Sequence, residues 1–206
     1  MQPIEFNLDL HALLRSRRSV RRFTDQDVPK ELLERIIESA SYAPNAHNRQ
    51  PWRFIVLTSS ESKASLADAM GVDFHRTLIT EGLTPAQADT QVQRSRTRIT
   101  QAPAAILLCL DTSTLDNYDD PIRQQGELTM AVQSVAMAGS YLLLAAHAEG
   151  LGGVWICAPL FTPQPVQEVL DLPKEWLPQG LVLLGYPAKT PNPHPRVLIE
   201  TVTKFL

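Results

Sequence analysis

Nineteen consecutive residues, Leu128 to Ala146, carry no charge. A run of that length can cross the hydrocarbon core of a bilayer. Thr129, Gln133, Ser134, Gly139 and Ser140 interrupt it, however, and the chain has no second run of the kind. It therefore reads as a buried helix. A helix apolar almost all round must be enclosed on every side, by its own sheet and, for what the sheet leaves bare, by another subunit.

The rest of the chain supplies the sheet. Arg53 to Leu57 reads as a strand that follows a polar loop over residues 44 to 52. Ala104 to Leu110 is a continuous apolar run, short enough to be a strand buried on both faces. Val154 to Cys157 and Gly180 to Gly185 complete the set of strands. Leu8, Leu10, Leu13 and Leu14 mark a short amphipathic helix, and Leu32, Leu33, Ile36, Ile37 and Ala40 form the stripe of a second helix begun at Pro29. Residues 60 to 100 are helical, Asp111 to Gln124 is a polar loop, and Pro163 to Leu170 is another helix. Helices and strands alternate without repeat or linker, which predicts one domain over residues 1–206 with a sheet covered by helices.

Composition narrows the function. Of 206 residues, 44% are apolar and 20% charged, and the net charge of -3 offers no general attraction to nucleic acid or to an anionic membrane. Cys109 and Cys157 stand far apart, so neither a disulfide framework nor a metal centre is expected. Met1 to Arg15 lacks the basic-then-apolar layout of a signal peptide, and a cytoplasmic location is expected. There is no G-x-G-x-x-G, Walker, H-E-x-x-H or G-x-S-x-G motif. His11, His75 and His147 fall in helical segments, Cys109 reads as an inert core thiol, and only His47 sits in a polar loop. No nucleophile–base or acid–base pair is in view. No side chain is assigned a catalytic role, and a cofactor is expected to supply the chemistry.

Against that even background the arginines are crowded. The chain has 14 arginines and 5 lysines, and Arg15, Arg17, Arg18, Arg21 and Arg22 fall within eight positions. Guanidinium groups offer a rigid fork of donors suited to phosphate or carboxylate, whereas a solvated face is served as well by lysine. The segment alone supports two readings, an anion site or a basic helix end that complements the macrodipole.

Five ordered blocks add a resemblance. Arg17-Arg18-Ser19-Val20-Arg21-Arg22-Phe23, Ala43-Pro44-Asn45, Gln50-Pro51-Trp52-Arg53-Phe54, Gly150-Leu151-Gly152 with Trp155-Ile156, and Gly185-Tyr186-Pro187-Ala188 resemble the FMN-dependent nitroreductase family over residues 12 to 196. Within it, Glu127-Leu128-Thr129-Met130, Phe161-x-Pro163 and Leu170-Asp171-Leu172-Pro173 with Trp176, Pro178 and Gly180 are similar to one branch. That branch is the reductase domain at the C-terminus of the bifunctional coenzyme F420 biosynthesis proteins. The resemblance implies an α+β fold, a three-layer α/β/α sandwich around a mixed, mainly antiparallel sheet. It also implies an intertwined homodimer with flavin sites at the subunit interface.

Roles follow from the same resemblance. Arg17, Arg18 and Ser19 would grip the FMN phosphate, with Arg196 as a further phosphate-binding arginine. Arg21 would reach the N1 and O2 edge of the flavin, where negative charge gathers on reduction, and so raise the reduction potential. Pro44, Asn45, Ala46 and His47 match the loop that the neighbouring subunit adds to the flavin pocket. Residues of that loop are commonly small, which makes His47 a candidate for substrate as well as for flavin. Ile156 and Cys157 match the strand end beside the ring, where a backbone amide reaches N5, and many relatives have glycine where Cys157 stands. Met130 matches a position lining the substrate side, with a core methionine as the other reading. Arg49 and Arg53 flank the loop and suit an acidic substrate tail, whereas Arg94, Arg96 and Arg98 fit a solvated helical face. Trp52, Trp155 and Trp176 read as packing, and Gln133 and Ser134 face either the cofactor or a neighbouring helix.

The implied activity passes electrons from NAD(P)H through bound FMN to a small-molecule acceptor, a nitroaromatic, a quinone or a related conjugated compound. Reduction of a dehydro-F420-type precursor is one alternative. A non-catalytic flavin- or anion-binding protein is the alternative from another class.

Overall fold

The computed structural model describes residues 9–206, and its centre is one antiparallel sheet of four strands in the order β1-β2-β4-β3. These are β1 (Trp52–Leu57), β2 (Ala104–Asp111), β3 (Gly152–Ile156) and β4 (Trp176–Gly185). The helices are α1 (Leu10–Ser16), α2 (Lys30–Ser41), α3 (Ser60–Thr80), α4 (Pro85–Thr100), α5 (Pro121–Ala148), α6 (Pro163–Val169) and α7 (Ile199–Val202). Leu8, placed by its spacing on the first helix, lies outside the described residues.

Strand pleat sorts the core into two halves. Ala104, Ile106, Leu108 and Leu110 of β2 join α2 and α5 in one apolar cluster, while Ala105, Leu107 and Cys109 join α3 and α6 in the other. On β4, Val182 and Leu184 belong to the first cluster, Leu181 and Leu183 to the second. Both central strands are therefore covered on both faces, which is why their sequences read as unbroken apolar runs. The result is the expected three-layer arrangement. Its parallel element is a single bridge, Ser19 to Gly153, along the outer edge of β3. Pro178 is accommodated inside β4 by a register shift opposite Leu108 and Cys109.

The charge-free run forms the middle of a longer helix than the sequence suggested. Asp120 caps α5 by accepting hydrogen bonds from the N–H groups of Ile122 (2.8 Å) and Arg123 (3.2 Å), and Pro121 fills the first turn. The polar loop expected to run to Gln124 thus stops at Asp120. At the other end Gly150, at φ +81°, turns the chain so that the Leu151 N–H reaches back to the Ala146 carbonyl at 2.8 Å.

Enclosure of α5 is half complete. Ala131, Val135, Ala138, Leu142 and Ala146 pack inward, and Met130, Gln133, Met137 and Tyr141 line the opposite face, exposed and without a charge. Trp155 is a packing residue, as read from the sequence. Its ring fills a slot between Gly139 of α5 and Gly180 of β4, where a Cβ at either position would stand 2.2 Å from the indole.

Candidate functional site

The arginine cluster is held at the edge of the sheet by backbone contacts. α1 ends at Ser16. The Arg17 N–H donates to the Leu13 carbonyl (3.2 Å), and the Arg18 guanidinium donates to the carbonyls of Arg15 (2.5 Å) and Arg17 (2.8 Å). The chain then runs extended beside β3, with the Val20 N–H donating to the Gly153 carbonyl at 3.0 Å. Gly152 permits this approach, since a Cβ there would lie 2.7 Å from that of Val20.

Arg15, Arg17, Arg18, Ser19 and Arg21 consequently line a cleft of about 520 Å3, closed on its other side by His194 and Arg196 of the C-terminal segment. No carboxylate lines it. Among the described residues, the ion pairs take up Lys30, Arg35, Arg49, Arg53, His75, Arg76 and Arg96, and none of the five cleft arginines. Burial, and next the charges of Arg196 and Arg18, push the Arg17 pKa below the ordinary arginine value. Cations crowded in this way without a counter-charge oppose folding, and a bound anion relieves the repulsion. The helix-end reading accounts for Arg15, in the last turn of α1, and for the contact of Arg18 with the Arg15 carbonyl, and leaves Arg17, Arg21 and Arg196 unexplained.

A second group of expected site residues lies elsewhere. In the loop after α2, the Gln50 N–H donates to Asn45 Oδ1 (2.9 Å) and the Ala46 N–H to Ser134 Oγ (3.4 Å), while Ser134 Oγ donates to the Met130 carbonyl (2.8 Å). Ser134 is therefore a bridge between the loop and α5, and Gln133 lies on the exposed face. His47, Asn48 and Gln50 adopt φ of 54°, 52° and 50°. Left-handed backbone at a non-glycine residue costs roughly 1–2 kcal/mol, so the surroundings must hold this loop in place.

Arg49, expected from the sequence to meet an acidic substrate tail, is engaged by acids of its own chain and does much of the holding. Its Nη1 donates to Glu127 Oε1 (2.7 Å) and to the Thr114 carbonyl (3.1 Å), and its Nη2 donates to Asp116. Glu127 is only 4% exposed, so Arg49 is the counter-ion of a buried carboxylate. Its hydrogen bond is the main reason that the Asp116 carboxyl is held below the usual range. Arg53 is similarly committed, to Asp111 at 2.6 Å, and lies over the Trp176 ring. Burial opposes the charge of Asp111, but Ser113 and Arg53 together outweigh it and lower its pKa.

α5 measures the separation of the two groups. His147, near its C-terminal end, shares a hydrogen bond with Ser16 Oγ (2.7 Å) beside the cleft, whereas Ser134 carries the loop. At 1.5 Å per residue, the 13 positions from Ser134 to His147 span about 20 Å. Ile156 and Cys157 lie at the end of β3, beside which the arginine segment runs, with Cys157 exposed. Met130 lies with the loop, on the open face of α5.

Residues 14–186 match the model of the nitroreductase family. The chain belongs to the nitroreductase family. It is 30% identical over 220 residues to an NADH dehydrogenase of Thermus thermophilus, with 95% of each chain covered. It is 31% identical over 187 residues to the 5,6-dimethylbenzimidazole synthase of Rhodospirillum rubrum, covering 88% of this chain and 83% of that one. A BluB-like flavoprotein of Clostridium difficile shares the fold at a TM-score of 0.79 and 22% identity, covering 97% and 100% of the two chains. Membership of the nitroreductase family makes the chain a flavin-dependent NAD(P)H oxidoreductase in class. The donor set of the cleft fits the phosphate of such a cofactor, with forked guanidinium groups and the Ser19 hydroxyl gathered where no acid competes.

Sequence reading missed three features of this chain. Lys63 is buried, with Nζ donating to the carbonyls of Ala102 (2.6 Å) and Pro103 (3.3 Å), and burial lowers its pKa. Asp116 and Glu127 are the partners of Arg49, and His147 adjoins the arginine cluster. Cys109 behaves as read, its thiol pushed up to about 12 by burial.

Proposed function

We propose that the chain acts in the cytoplasm as a homodimeric FMN-dependent oxidoreductase that passes electrons from NAD(P)H to a nitroaromatic, a quinone or a related conjugated acceptor. The observation that carries this reading is the separation of about 20 Å between the arginine cleft and the Asn45 loop. Within one chain the loop does not line the cleft. A second copy can bring its own loop there, by packing its uncharged α5 face of Met130, Met137 and Tyr141 against this one in the opposite direction. Val197, Leu198, Ile199, Val202, Phe205 and Leu206 are exposed apolar residues of the C-terminal segment, suited to reach across the partner.

Within that dimer Arg17, Arg18, Ser19 and Arg196 hold the phosphate, and Arg21 places a fixed positive charge at the ring edge. Ile156 and Cys157 offer their backbone to the ring. Pro44, Asn45 and Ala46 close the pocket from the neighbouring subunit, and His47 and Met130 face the acceptor. When bound there, FMN would supply the two-electron redox chemistry between the nicotinamide and the acceptor. No side chain is required as nucleophile. The chain's task is to orient the cofactor, exclude water and keep the loop rigid through Arg49 and Glu127. Because the charge of Arg49 is neutralised there, that side chain is not free to hold an acidic acceptor.

Subunit mixing tests the shared site. Arg18→Ala and Asn45→Ala variants, each inactive alone, should give about a quarter of the wild-type activity when unfolded and refolded together, because half of the dimers then carry one intact composite site. Absence of rescue, with both variants folded and dimeric, would count against a site built from two subunits.

A further inference from the structure

The arginine cleft holds more positive charge than a flavin phosphate uses. Arg15, Arg17, Arg18, Arg21 and Arg196 line it together with His194, and no carboxylate faces them. A phosphomonoester carries about -1.5 to -2 at neutral pH, and Arg21 is assigned to the ring. Four guanidinium groups therefore meet at most about two negative charges. The surplus is not absorbed within the chain, since none of these arginines pairs with an acid among the described residues. Arg15 stands in the last turn of α1, where its charge complements the helix dipole, and it too lines the cleft without an acid to neutralise it. The cleft, at about 520 Å3, is also larger than one phosphate group fills. Ser19 lies at the sheet edge, while Arg15 comes from the last turn of α1 and His194 from the C-terminal segment.

We infer that the cleft binds two anions at once, the flavin phosphate beside Ser19 and, against Arg15 and His194, a phosphate carried by the diffusing co-substrate. This rests on the flavin reading above. The second phosphate has two sources, the reduced nicotinamide dinucleotide or a phosphorylated acceptor. In either case the enzyme selects for phosphate on a molecule that visits the site in each turnover.

Paired substrates that differ by a phosphate test it on the FMN-loaded enzyme. Dihydronicotinamide riboside, NADH and NADPH are compared as reductants with an uncharged quinone as acceptor, and free riboflavin and free FMN are compared as acceptors. In the wild type kcat/KM favours the phosphorylated member of at least one pair, and Arg15→Gln or His194→Gln reduces that preference by about tenfold to a hundredfold, the loss of one or two charge-assisted hydrogen bonds. A loss confined to the reductants assigns the phosphate to the dinucleotide, and a loss confined to the acceptors assigns it to the acceptor. Equal effects on both members of every pair, or none, in enzyme that keeps its yellow flavin spectrum overturn the inference. Colourless wild-type protein that ignores added FMN overturns the flavin reading instead.

Discussion

Two sets of arginines stood out in the sequence, and the fold treats them oppositely. Arg17, Arg18 and Arg21 converge on a cleft without a carboxylate, while Arg49 and Arg53 close on Glu127, Asp116 and Asp111. Residue type and loop context are similar in the two regions. What separates them is whether the chain supplies its own counter-charge. A paired arginine fixes local structure, whereas an unpaired cluster costs stability in the free protein and waits for a ligand.

The sharpest way to break this contrast is to delete charge from each side and read stability and flavin binding together. Arg17→Ala with Arg18→Ala should weaken FMN binding by at least about 100-fold, two charge-assisted contacts being lost. Its Tm without flavin should change little, because relief of the repulsion between the cations offsets the loss of the Arg18 contacts with the Arg15 and Arg17 carbonyls. Equilibrium dialysis and calorimetry check both halves. A clear drop in Tm with unchanged FMN affinity would move the cluster into the structural class.

Arg49→Ala should show the reverse pattern, with a Tm lowered by several degrees, since Glu127 is left buried without its counter-ion and the left-handed residues of the loop lose their anchor. The double variant with Glu127→Gln should recover much of that loss, because the orphaned charge is removed. Phosphate affinity in the cleft should not change. If Arg49→Ala instead released flavin as readily as the Arg17 and Arg18 variant, the two regions would not differ in kind.

The same contrast explains what the sequence could disclose. The alternating faces of β2 and β4 were legible because apolar burial on both sides leaves a continuous run. The arginine cluster was legible because its members are neighbours in sequence. The fate of Arg49 was not, since Glu127 lies 78 positions away and only the packing of α5 against the loop brings them together. Lys63 gave no sign for a similar reason, its partners being the carbonyls of Ala102 and Pro103. The start of α5 was available in Asp120-Pro121, a cap and a first-turn proline, but the charge-free run drew the boundary too late.

The smallest expected effect is also the most local. His147 stands at the C-terminal end of α5, where the helix dipole favours a protonated ring. Burial, and then Arg17 and Arg18, nevertheless hold its pKa below the ordinary 6.5. A base depressed in this way is protonated first in the unfolded chain. Its contribution to stability is thus full above about pH 6.5 and is lost as pH falls from there toward the folded pKa. An anion beside Arg17 and Arg18 cancels their share of the depression and leaves the share due to burial. FMN binding should therefore raise the His147 pKa, and it should take up a fraction of a proton just below pH 6.5. NMR titration of the imidazole with and without FMN measures the shift directly, with His147→Gln as the control that removes the proton uptake. An unchanged pKa in flavin-saturated protein would mean that the bound phosphate does not lie beside Arg17 and Arg18, and the unpaired cluster would need another ligand.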